Sequence, residues 1–120
     1  MRTPEGAEKQ KVKSFLTEIG AFYRWPVPYG YGQPDVDCHA CLGGMFFVIE
    51  VKAEKQYPTV LQWRTLREAE DAGAKIAWGT AADIIRVISR WLDRQAKGGP
   101  VHYIEHDPHA LANRNAVVPR

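Results

Sequence analysis

A chain of 120 residues with a net charge of +2 is long enough to close one hydrophobic core without disulfide or metal staples. Its apolar fraction of 45% and charged fraction of 25% are those of a globular protein, which excludes wholesale disorder. The flat overall charge leaves any nucleic-acid binding to local features, and no apolar run approaches the ~18 residues of a membrane span. The first residues, Met1-Arg2-Thr3-Pro4-Glu5-Gly6, carry no apolar segment after their charge, so no signal peptide is expected. Cys38 and Cys41 make no disulfide framework, which suits a reducing, cytoplasmic compartment.

Thr3-Pro4-Glu5 reads as a helix start, with Thr3 as cap, Pro4 in the first turn and Glu5 favouring the helix dipole. Val12, Phe15, Leu16 and Ile19 recur at helical spacing and Gly20 is the natural stop. Glu5 and Glu8 continue this apolar face instead of opposing it, which suggests a carboxylate aimed into a site. Residues 21–27 suggest a first strand interrupted by Pro26, and the run from Pro28 to Pro34 is a loop by composition. Residues 36–41 read as a second strand, Leu42-Gly43-Gly44 as a hairpin turn and residues 45–52 as a third strand. The third strand is apolar on both faces, as expected of a central strand covered on both sides.

Thr59 is placed to cap a helix running through Leu61, Leu66 and Ala69 to Gly73, and residues 74–78 form a short strand. Thr80 opens a last helix with Ile84, Ile85, Ile88, Trp91 and Leu92 as its buried stripe. Arg86, Arg90 and Arg94 form a row that is read as a solvated face. Gly98-Gly99-Pro100 ends it, and the remainder is expected to be a tail or arm. The order α-β-β-β-α-β-α predicts an α/β sandwich around a mixed sheet.

Chemistry concentrates in Pro34-Asp35 and, after fourteen residues, Glu50-Val51-Lys52. On a strand, Glu50 and Lys52 project from one face, and two charges ending an apolar face are costly unless they pair with each other or with an ion. The hairpin is expected to bring Asp35 beside Glu50. Two such carboxylates repel unless a cation intervenes. Mg²⁺, for which Mn²⁺ substitutes, takes such oxygen ligands, and the Val51 carbonyl offers another. A lysine beside the ion can orient or deprotonate a water, or offset charge on a phosphorane-like transition state. These are the requirements of phosphodiester hydrolysis.

These residues resemble the PD-(D/E)XK nuclease core, and the element order is that superfamily's. The chain most resembles the VRR-NUC group. Thr3-Pro4-Glu5-Gly6 is similar to the start of its compact stand-alone members, and Gly32-Gln33-Pro34-Asp35 to its glycine-x-proline-aspartate motif. Thr59 to Gln62, with Gly73 after it, is similar to its glutamine-bearing helix. The resemblance spans roughly Thr3 to Trp91 and implies a restriction-endonuclease-like core; the chain is accordingly read as a nuclease domain over residues 1–98 with residues 99–120 as a tail or arm. It implies Asp35 and Glu50 as metal ligands, Lys52 as the catalytic lysine and Gln62 as a guide for the phosphate or attacking water. It further implies Glu5 as the acidic residue of the first helix, in a catalytic and metal-binding role, with Glu8 as the fallback. The implied activity is metal-dependent DNA cleavage, on branched, flap or junction structures, by a homodimer; a non-catalytic nucleic-acid-binding module on the same fold is the alternative.

Other motifs carry less. Cys38 and Cys41 face opposite ways on a strand, so a zinc site completed by His102, His106 and His109 is not expected. Gly30-Tyr31-Gly32 lacks the helix of a phosphate loop and reads as a lip on which Tyr29 and Tyr31 stack on a base or pack.

Overall fold

The computed structural model describes residues 3–26 and 36–97. The chain forms two units, Met1–Ser89 and Arg90–Arg120, and the division falls within the last helix. Among the described residues seven elements follow in order: α1 (Pro4–Glu18), β1 (Phe22–Arg24), β2 (Cys38–Leu42), β3 (Met45–Val51), α2 (Val60–Asp71), β4 (Lys75–Gly79) and α3 (Ala81–Ala96). They are the expected elements, with ends displaced by a few residues.

Each helix starts where its cap chemistry dictates. Thr3 accepts from the Gly6 N–H at 2.9 Å, with proline in the first turn of α1. Thr59 and Gln62 form a reciprocal capping box at α2. At α3, Thr80 Oγ1 accepts from Asp83 N while the Asp83 carboxylate accepts from Thr80 N. Gly79, just ahead of it, has φ +128°, and a Cβ there would lie 2.7 Å from Asp83 Oδ2. Glycine is therefore required for the strand to enter the cap.

The sheet order is β1-β2-β3-β4. β2 pairs antiparallel with β3 across the Gly43-Gly44 turn, where both glycines have positive φ. β3 runs parallel to β4, with Glu50 in register with Trp78 and Val51 with Gly79. The crossover through α2 makes the sheet mixed. β3 is central, and Phe47, Val48, Ile49, Glu50 and Val51 are all buried, as its two-sided apolar pattern requires. Phe46 departs from that pattern: it is exposed, tilted against the His39 ring at 5.9 Å.

α2 covers the face that carries Val48: Leu66 joins Val48 and Val36, with Ala69, Ala74, Ile76 and Trp78 packed around them. α1 packs on β1 and β3 through a fully buried Val12 and Leu16. α3 buries Ala81, Ile84 and Ile88, while Ile85, Trp91 and Leu92 of the expected stripe are only half-buried. Its first amide, Ala81 N–H, donates to Glu8 Oε1 at 2.9 Å, which ties α3 to α1. Arg86 is engaged by Asp83 at 2.8 Å in the first turn of α3. No helix among the described residues is long and apolar enough to cross a membrane.

Candidate functional site

The end of β3 carries the one buried charged side chain among the described residues. Glu50 is 2% exposed, and its Oε2 is buried with no hydrogen-bond partner. Removing an ionised carboxylate from water without compensation costs several kcal/mol. The group responds as expected: burial, and then the nearby Asp37 carboxylate, push the Glu50 carboxyl up to about 8, with Lys52 pulling the other way. Lys52, half-buried, is anchored through its backbone N–H to the Gly79 carbonyl at 2.7 Å.

The described residue that meets Glu50 is Asp37. The β2–β3 ladder ends at Cys38↔Ile49. One residue further on, the Asp37 carboxylate replaces a ladder carbonyl and accepts the Val51 N–H at Oδ2, 2.8 Å away. The chain bends at this point. Strict alternation would put Val36 on the face opposite Val48, yet the two share a cluster with Leu66. Asp35, expected as the partner of Glu50, lies outside the described residues, as do Tyr29, Tyr31 and the tail histidines. Asp37 was missed, although the turn contains the signal. Counting back from the Leu42↔Met45 pair sets residue 37 opposite residue 50.

α1 supplies the third side of the site. Lys9 Nζ lies 3.4 Å from Asp37 Oδ1 and 3.5 Å from Glu5 Oε2. Burial works against its charge, but the carboxylates of Asp37 and Glu5 prevail and hold its pKa above the ordinary lysine value. Lys9 was also missed; its signal is the i, i+4 spacing from Glu5. Glu5 thus belongs to the chain of charges that reaches Glu50. Glu8 does not: it caps α3, and the Ala81 N–H foremost, with help from Lys11, lowers its pKa. Gln62 Oε1 is taken by the Thr59 N–H at 2.8 Å.

Among the described residues no three histidine, cysteine, aspartate or glutamate groups come close enough to hold a metal ion together. The pair Asp37–Glu50 still fits a hard divalent cation, because a buried carboxylate oxygen without a partner and a second carboxylate beside it are the donors such an ion takes. The cysteines lie as their spacing required, Cys38 buried and Cys41 exposed.

A mixed four-stranded sheet between helices, with acidic and basic side chains gathered where β2 and β3 part, is an α/β fold of the restriction-endonuclease-like type. Within that class the chain superposes on a solved structure described as a "VRR_NUC domain", with a TM-score of 0.64 and 22% sequence identity, over 75% of this chain and 99% of that one. The chain therefore has the VRR_NUC fold. No family model matches its sequence, and none of the curated proteins does.

Proposed function

We propose that this chain is a metal-dependent DNA endonuclease of the VRR-NUC type. The observation that carries the reading is the buried, partnerless Glu50 Oε2 beside Asp37 and Lys52, at the place where the resemblance puts a metal-binding glutamate. Asp37 and Glu50 hold the ion in this reading, with Asp35 and the Val51 carbonyl as further oxygen donors. When bound, Mg²⁺ or Mn²⁺ supplies Lewis acidity and an acidified water. Lys52 orients that water or offsets charge on the phosphate, and the Gln62 amide NH₂, a donor suited to phosphate oxygens, helps to place the substrate. Glu5 acts through Lys9, which it holds against Asp37, and is a positioning residue.

The test is cleavage of labelled linear, flap and four-way DNAs with Mg²⁺ or Mn²⁺. Lys52→Ala is expected to lose cleavage by a hundredfold or more, on the order of a lost general base, while retaining DNA binding. Asp37→Asn should lose cleavage as severely, and comparison with Asp35→Asn separates the contributions of the two aspartates. Undiminished cleavage by Lys52→Ala would remove the mechanism.

A further inference from the structure

Trp78 stands next to Glu50 across the parallel β3–β4 pair, where strands are about 4.8 Å apart. Its ring is partly buried against the Val36–Val48–Leu66 cluster. Two more rings meet it. Tyr57 lies 5.8 Å away at 54°, and Trp63 lies 5.4 Å away, edge-on at 73°. Tyr57 is nonetheless 71% exposed and Trp63 36% exposed. A ring recruited only to cover Trp78 would bury its own surface, whereas Tyr57 leaves most of its own in water.

The segment that presents Tyr57 is built, not merely extended. Gln56 N–H closes a turn onto the Ala53 carbonyl at 3.0 Å. Lys55 sits in the left-handed region at φ 66°, a conformation that a lysine adopts at some cost. The buried Pro58 then fixes the entry to α2. The turn thus holds an aromatic ring a few residues from Lys52, with the exposed Lys55 beside it as a second cation.

We propose that Tyr57, backed by Trp78, is a stacking platform for an unpaired base of the DNA strand that is cut at the Glu50–Lys52 site; this rests on the nuclease reading of that site. In continuous duplex both faces of a base are covered by its neighbours, so an exposed ring takes only an unpaired or extruded base. The platform selects single-stranded stretches, flaps or junction branches over intact duplex. The lysines give it the mixed aromatic and cationic character that single-strand sites share.

The test uses the full chain in EDTA, so that no cleavage intrudes. Fluorescein-labelled oligothymidine and a duplex of equal length are titrated by anisotropy. Tyr57→Ala is expected to weaken oligothymidine binding about tenfold and to leave duplex binding unchanged, while Tyr57→Phe binds like the wild type. Equal loss on both DNAs, no loss on either, or no binding of oligothymidine by the wild type overturns the platform. So does a Tyr57→Ala chain that sediments as a monomer where the wild type is a dimer and binds oligothymidine undiminished, since that assigns the ring to a second copy. Binding through Tyr57 by a chain that cleaves nothing with Mg²⁺ or Mn²⁺ removes the nuclease reading and keeps the platform. Cleavage at equal rates on both DNAs, indifferent to Tyr57, does the reverse.

Discussion

At the scale of single residues, Glu50 is expected to make stability depend on pH and, in the proposed reading, on metal as well. Its native pKa of about 8 lies above the ordinary 4.5, so between those values the folded chain holds a proton that the unfolded chain has released. Stability from this group is therefore complete below the lower value and is lost as pH rises through the upper one. In EDTA the slope is expected to approach on the order of 1 kcal/mol per pH unit within that window. Glu50→Gln should flatten it and melt above the wild type at alkaline pH. Mg²⁺ should raise the melting temperature of the wild type there and leave the variant unmoved. Thermal melts across pH, with and without Mg²⁺, check both points, and a variant that keeps the wild-type slope would place the titration elsewhere.

At the scale of elements, caps and periodicity were legible because they are local. The helix starts at Thr3, Thr59 and Thr80 and the turn at Gly43-Gly44 follow from side chains acting within a few residues. Asp37 was not read because its role depends on register between strands and on a bend that breaks alternation at Val36. Gln62 was read only as a guide for the substrate, although Thr59 and Gln62 stand at the spacing of a capping box, and its carbonyl oxygen closes one. The two glutamates of α1 separate for a similar reason. Both extend one helix face, yet Glu8 meets the Ala81 N–H, seventy-three positions away in sequence, while Glu5 meets Lys9. Glu8→Ala should consequently destabilise the fold by about 1 kcal/mol, as loss of a helix N-terminal acceptor does, and leave cleavage per folded molecule intact. Denaturant melts alongside cleavage assays check this. A folded Glu8→Ala chain without activity would return Glu8 to the site.

At the scale of the whole molecule, one Glu50–Lys52 site per chain sets what a single copy can do. A chain of this length has a radius of gyration of roughly 13–14 Å, and under the proposed nuclease reading one such site would nick one strand. Paired cuts in a junction need two sites at fixed separation, and a closed two-fold dimer is the commonest way to hold them. We therefore expect a homodimer as the active species. Val101-His102-Tyr103-Ile104 has the composition of an added strand, which makes the tail the candidate for an exchanged arm. Light scattering should find a dimer for the full chain at micromolar concentration and a monomer for a version ending at Gly98. The shortened chain should still nick DNA but lose paired cutting of a four-way junction. A full-length monomer that makes paired cuts rules out the dimer. A dimer that survives the truncation rules out the arm and turns the search to the surface row Phe22, Cys41 and Phe46, exposed residues that stand in register across β1, β2 and β3.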